Sequence, residues 1–196
     1  LFRFSTPSRS QQSRILFTEN EIGLVNPLVM SNAAFEYGGD YCFTHGDLHE
    51  GNILVDNKDQ TWLIDFSRTC LAHPLRDFAL LESAIRLYLQ KSEAPMPLLY
   101  EWEQSLVSVL SWQADASIPV SFEQNRELAK ATHLVLHIRK LARQIIPNVT
   151  FEEYLIALYF HALKSMLLTN KLSFNARQHA MLSASLLAEQ LQKRSS

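Results

Sequence analysis

Apolar residues along this chain follow two regimes. Between Tyr41 and Ile64 they come as short runs, Tyr41-Cys42-Phe43-Thr44, Ile53-Leu54-Val55 and Trp62-Leu63-Ile64, each with the length and composition of a brief strand. The last two flank Asp56-Asn57-Lys58-Asp59-Gln60, whose side chains favour a turn, so together they predict a β-hairpin. After Pro74 the spacing changes to three and four. Pro74 suits a first helical position, and Leu75, Phe78, Leu81, Ile85 and Leu89 share one buried stripe of a helix. A break at Pro95 and Pro97 precedes a second predicted helix, from about Leu98 to Trp112. Ser121 with Gln124 and Thr150 with Glu153 have capping-box spacing, which predicts helices running on to about Ile145 and Thr169. A last amphipathic helix spans about Phe174 to Lys193. Residues 1–40 hold three of the five glycines, Gly23, Gly38 and Gly39, with few periodic apolar positions, and read as a partly irregular lead-in with room for one short helix.

Composition narrows the class without changing this picture. With 196 residues, 47% of them hydrophobic and 19% charged, the chain has material for one sizeable core and one domain, and no internal repeat suggests otherwise. Its 18 Lys and Arg against 20 Asp and Glu give a net charge of -2, with no basic cluster to gather a phosphate backbone, so nucleic acid is not an expected partner. Cys42 and Cys70 make neither a disulfide framework nor a zinc spacing, which fits a reducing compartment, the cytoplasm. The most apolar stretch, Tyr154 to Leu168, is broken by His161 and Lys164 and falls short of the roughly 20 residues of a membrane span, so no membrane partner is expected either. Leu1 to Arg14 lacks the apolar run of a secretory signal, and without an initiator Met the chain reads as cut from something longer.

The chemistry concentrates in His45-Gly46-Asp47-Leu48-His49-Glu50-Gly51-Asn52 and in Asp65-Phe66-Ser67 beyond the hairpin. Asp47 and Asn52 are five apart, and Asp65 follows at the end of a strand, the spacing of the catalytic loop and metal-binding Asp of phosphoryl-transfer kinases. Such a reaction needs a carboxylate to orient a hydroxyl nucleophile and take its proton, a role for Asp47 on a loop after a strand. Magnesium takes oxygen ligands, so the Asn52 amide and the Asp65 carboxylate can clamp it against ATP phosphates. An antiparallel hairpin brings the start of one strand beside the end of its partner, and so Asn52 near Asp65. His45 reads as a packing residue that hydrogen-bonds backbone, and His49 as a contact to phosphate or substrate. His45 and His49 are four apart, but Gly46 and the strand context argue for a loop and against a helical zinc pair. His133 and His137, also four apart, have no third ligand in view and read as structural.

These residues resemble a known group. His45 to Asn52 with Ile64-Asp65-Phe66 looks like the HGDxHxxN and IDF motifs of the aminoglycoside phosphotransferase and choline kinase-like family, within the protein-kinase-like fold. His73-Pro74-Leu75-Arg76-Asp77-Phe78-Ala79 is similar to the segment where that family opens a helix with an Asp that braces the catalytic loop, and the resemblance gives Asp77 that structural role. The wording from Trp62 to Thr69 and from Arg76 to Glu82 also looks like a bacterial branch, the ternary-complex-associated domains of conflict or signalling systems. The resemblance implies a mainly α-helical, protein-kinase-like C-terminal lobe with a small β-hairpin over residues 41–196, a catalytic loop at 45–52, a metal-binding segment at 64–67 and a helical bundle at 74–193. It implies Mg2+ and ATP as cofactors, with His49, Asn52 and Asp65 on the cofactor, and transfer to a small-molecule hydroxyl.

The departures shape the functional expectation. Every lysine (Lys58, Lys91, Lys130, Lys140, Lys164, Lys171, Lys193) follows the loop, so no nucleotide Lys of an N-terminal lobe is present, and neither GxGxxG nor GxxxxGK[ST] occurs. Such an enzyme would need its N-lobe from the same precursor or another chain. The alternative is a catalytically inactive kinase-like binding or regulatory domain of a multidomain signalling or conflict-system protein, with a partner protein in place of a substrate. Ser67 stands where DFG has Gly, which small-molecule kinases tolerate. Among the remaining residues, Cys42 reads as a small core residue, Trp62, Trp102 and Trp112 as core or groove-lining aromatics, and Glu82 with Arg86 as a solvated i, i+4 ion pair.

Overall fold

A computed structural model describes residues 14–17, 22–30, 41–89, 94–108, 112, 125–168 and 172–194. Among the described residues five helices form where the threefold and fourfold spacing begins: α1 (Arg76–Ala84), α2 (Met96–Ser108), α3 (Arg126–Ile145), α4 (Phe151–Leu167) and α5 (Phe174–Arg194). Their first turns are closed by side chains. Asn125 accepts the Leu128 N–H at 3.2 Å at the start of α3, and Ser173 Oγ accepts the Ala176 N–H at 3.2 Å at the start of α5. At α4 the predicted capping box forms in both directions: Thr150 Oγ1 accepts the Glu153 N–H at 3.1 Å, and Glu153 Oε2 accepts the Thr150 N–H at 2.6 Å. The Ser121 and Gln124 pair lies outside the described residues. α1 starts at Arg76 and not at Pro74, because His73 closes the preceding turn, its carbonyl accepting the Arg76 N–H at 3.0 Å and its Nδ1 the Leu75 N–H at 3.1 Å. α1 runs on into one π-helical turn, Ile85–Leu89.

α4 and α5 pack along each other, with α1 against α4 and α2 against α5. Trp102, Leu106, Leu128, Val135, Tyr154, Leu155, Leu158 and Leu187 fill the space between them, and each large apolar side chain removed from water contributes ~1.5–3 kcal/mol. The expected stripe of α1 is inside at Leu75 and Ile85 and half-buried at Phe78 and Leu81; the Leu89 side chain lies outside the described residues. In the lead-in, β1 (Arg14–Phe17) and β2 (Ile22–Val25) form a hairpin, followed by a 3-10 turn, Pro27–Met30; the remaining positions open to the short helix lie outside the described residues. β2 and the turn rest on α5, with Leu24 in the core. The Tyr159 hydroxyl of α4 donates to the Pro27 carbonyl at 2.6 Å, and burial pushes its pKa up to about 12, so it stays a donor.

Two further antiparallel pairs lie between lead-in and bundle. β3 (Cys42–Thr44) pairs with β6 (Cys70–Ala72), Thr44 opposite Cys70 and Phe43 opposite Leu71. β4 (Ile53–Val55) pairs with β5 (Thr61–Leu63), Ile53 opposite Leu63, which is the predicted hairpin. Its turn is held by Asp56 Oδ1, which accepts the Lys58 and Gln60 N–H groups at 2.8 and 2.9 Å. Cys42 is exposed, contrary to its reading as a core residue, and so is Trp62: each sheet has only two strands, and among the described residues no layer covers these side chains. Trp102 is fully buried as expected, its indole N–H donating to Thr132 Oγ1 at 2.8 Å. The architecture is mainly α-helical with small antiparallel strand pairs. No helix of the described residues is long and apolar enough to cross a membrane.

The sharpest departure lies inside the bundle. Glu82 and Arg86 are 0% and 2% exposed. Glu82 accepts from Arg139 Nη2 at 2.7 Å, Arg139 Nε at 2.9 Å, Arg86 Nη1 at 3.1 Å and the Tyr154 hydroxyl at 2.7 Å. Arg86 also donates to Glu103 and to Ser183 Oγ, the latter at 2.9 Å, and Glu103 Oε1 lies 2.9 Å from His179 Nε2. Burial alone would raise both carboxyls; Arg139 and Arg86 outweigh it at Glu82, and Arg86 with His179 holds Glu103 at about 2.

Candidate functional site

β3 delivers the 45–52 loop, and four elements fix it. Thr44 is buried and its hydroxyl donates to the Cys70 carbonyl of β6 at 3.3 Å, so the loop leaves a paired strand end. Asp77, in the first turn of α1, accepts the His45 N–H at 2.6 Å on Oδ2 and the Gly46 N–H at 2.9 Å on Oδ1. One carboxylate thus satisfies two adjacent backbone donors that a sharp turn leaves without ladder partners. Asp77 thereby holds the start of the 45–52 loop against α1. Next to it Arg76 Nη2 donates to the Gly46 carbonyl at 3.2 Å and Nη1 to Cys70 Sγ at 2.8 Å.

Gly46 has φ 81°, and a Cβ there would lie 2.2 Å from the Arg68 carbonyl oxygen. Only glycine lets the loop and the 65–68 turn touch at this point. His45 is buried, and its Nδ1 accepts the Asp47 N–H at 3.4 Å while Nε2 lies 2.8 Å from the Ile64 carbonyl. With Nδ1 accepting, Nε2 is the ring nitrogen that donates to the Ile64 carbonyl. The Phe66 ring packs on it at 4.7 Å between centroids. His45 therefore ties the loop to the strand end that carries Asp65.

Asn52 ends a 3-10 turn, Glu50–Asn52, that His49 caps by accepting the Gly51 N–H on Nδ1 at 3.1 Å. The Asn52 amide donates from Nδ2 to the Asp47 carbonyl at 2.9 Å, which turns Oδ1 away as a remaining acceptor, and its own carbonyl accepts the Ile64 N–H at 3.1 Å. Asp47, Asn52 and Asp65 are joined in this way through backbone bonds at neighbouring positions. Asp65 sits in the left-handed region at φ 59°, a cost that its short polar side chain offsets by bonding its own turn. Its Oδ1 accepts from the Ser67 hydroxyl at 2.6 Å and the Ser67 N–H at 3.4 Å; these two bonds, with smaller contributions from His45 and then Arg68, hold the exposed carboxyl below the usual range. The Asp47 carboxylate has Arg68 Nε 3.6 Å from Oδ2.

Three participants were not read from the sequence. Arg76 and Arg68 stand inside the motif segments but carry no spacing signal of their own. His161 on α4 faces a residue far along the chain: burial, with the Lys164 and Arg76 charges, lowers its pKa to about 4. Around this site the apolar residues of the small sheets face outward, Phe43 at 78%, Leu71 at 61% and Trp62 at 56% exposed, with Leu54, Ile64 and Phe66 beside them in the chain and also exposed.

Compared with protein-family models, residues 32–167 match ternary complex associated domain 9. The chain belongs to this family. The ternary complex associated domain 9 match takes in the 45–52 loop, the β3–β6 and β4–β5 pairs, Asp65, Asp77 and α1 to α4, while the β1–β2 hairpin and α5 lie outside it. No curated protein and no solved structure matches the chain.

Proposed function

We propose that this domain is a kinase-like C-terminal lobe that performs Mg-ATP-dependent phosphotransfer to a small-molecule hydroxyl, with its N-lobe supplied by the same precursor or by another chain. The observation that supports it is the set of bonds joining Asp47, Asn52 and Asp65 through a common backbone framework. Asp47 takes the acceptor proton as base. The donor set suits magnesium: one carboxylate and one amide oxygen, both hard, with nucleotide phosphates to complete the shell. Among the described residues no group of three His, Cys, Asp or Glu forms a closed metal cage, so the metal would depend on those phosphates. Bound magnesium would supply charge neutralisation along the phosphates. His49, whose Nδ1 is occupied by the Gly51 N–H, has Nε2 left to donate to a phosphate. The exposed apolar face beside Asp65 is where a nucleotide base and an N-lobe would be covered.

Calorimetric titration of Mg-ATP into the chain, with Asp65→Ala and Asp47→Asn alongside, tests this. We expect magnesium-dependent binding that Asp65→Ala loses and Asp47→Asn keeps, with Asp47→Asn losing transfer; turnover retained in Asp47→Asn would overturn the assignment of the base.

A second reading has its own support. No lysine precedes the loop, and the outward apolar face suits a polypeptide partner, as does the family's name, ternary complex associated domain. A regulatory module would keep the loop to hold the fold and to bind a partner protein. Absence of any nucleotide binding in the titration would favour it.

A further inference from the structure

The Asp47 carboxylate has a cationic neighbour that the reading above leaves without a task. Arg68 Nε stands 3.6 Å from Asp47 Oδ2, beyond ordinary hydrogen-bond geometry, and the two side chains are 55% and 26% exposed. A surface pair of this kind contributes little to folding. The position of Arg68 is nevertheless built, because the Arg68 carbonyl packs directly on Gly46, the residue before Asp47, at a contact that admits no Cβ. Arg68 ends the 3-10 turn that Asp65 caps, and its charge reaches the Asp65 carboxylate as well. The guanidinium therefore stands beside the base, on the turn that carries the proposed metal-binding carboxylate. Its Nη1 and Nη2 make no hydrogen bond among the described residues.

We propose that Arg68 is a cis-acting arginine that binds the phosphoryl group in flight, Nη1 and Nη2 on its equatorial oxygens. This rests on the phosphotransfer reading. In the step, a bond forms between the acceptor oxygen and the γ-phosphorus as the bond from that phosphorus to the β,γ-bridging oxygen breaks. The electron pair of the broken bond stays on ADP, the acceptor proton passes to Asp47, and Arg68 keeps its own protons. Charge spreads over the three equatorial oxygens in a loose transition state, and a planar, permanently charged fork is suited to meet it. An interaction made only there raises the rate without tightening the ground state.

The test titrates the full chain with Mg-ADP alone and with Mg-ADP plus aluminium fluoride, a planar phosphoryl mimic, for the native protein, Arg68→Gln and Arg68→Lys. The native protein is expected to bind the fluoride complex about 100-fold tighter than Mg-ADP, and Arg68→Gln to lose most of that gain while holding Mg-ADP affinity to within about two-fold. Arg68→Lys, which keeps the charge but not the fork, is expected to fall between them and carries the comparison if the Gln variant melts early. A fluoride gain retained without Arg68, or equal weakening of both ligands, overturns the proposal. A native protein that binds Mg-ADP without a fluoride gain overturns the role of Arg68 alone, whereas one that binds no Mg-ADP overturns the reading that this lobe itself clamps the nucleotide phosphates, and this proposal with it.

Discussion

At Gly46 a missing methyl group decides how two loops meet. Its φ of 81° costs an L-residue ~1–2 kcal/mol, and the Cβ of any such residue would press on the Arg68 carbonyl from 2.2 Å. Gly46→Ala is therefore expected to lose more than ~2 kcal/mol of stability in urea unfolding, since neither the strain nor the clash can relax without moving the 65–68 turn. Asp65 has the same backbone sign but a different remedy, because its own carboxylate holds the Ser67 hydroxyl and N–H and so helps to hold the turn. Replacing Gly46 thus damages the meeting of the two loops, and replacing Asp65 removes the turn's internal brace.

Between elements, the decisive contacts are charges far apart in sequence. Glu82 of α1 accepts from Arg139 of α3 and Tyr154 of α4, while Arg86 in the π-helical turn reaches Glu103 of α2 and Ser183 of α5. Removing one member strands the others without water, and Glu82→Gln is expected to cost ~3–5 kcal/mol in chemical denaturation, far more than an exposed i, i+4 pair would. Here the sequence was legible only in part. Helix positions followed from apolar spacing and from the Thr150 capping box, and the β4–β5 hairpin from the turn residues between its strands. Asp47, Asn52 and Asp65 stood out by spacing, and Asp77 through family resemblance. The solvated reading of Glu82 and Arg86 failed because a fourfold spacing reports a helix face and not what covers it: the covering residues are 17 to 97 positions away from the residues they bind. The β1–β2 and β3–β6 pairings were hidden for a related reason. The Tyr41–Thr44 run is legible as a strand but not its partner, because β1, β2 and β6, of three or four residues, are too short to show alternation.

For the molecule as a whole, pH should weaken the fold in two stages. His161 has a folded pKa lowered to about 4 from its ordinary 6.5, so below 6.5 the unfolded chain takes up a proton that the folded one refuses. Its contribution is complete above pH 6.5 and lost as pH falls to about 4, a decline of up to ~3 kcal/mol. Glu103, held at about 2, and Glu82, lowered in the same direction, contribute stability above the ordinary carboxylate value near 4.5 that disappears toward pH 2. Urea midpoints from pH 8 to 3 are expected to show both declines, and His161→Gln only the lower one. The buried ion network also sets an order of events during folding. Arg86 meets Ser183 across 97 residues of chain, so a chain that has packed α1 to α4 alone still lacks the Ser183 and His179 partners of its charged centre. Docking of the last helix thus completes the desolvated centre and gathers the transition into one late, all-or-none step, and a polypeptide halted before residue 174 should populate a loosely packed intermediate.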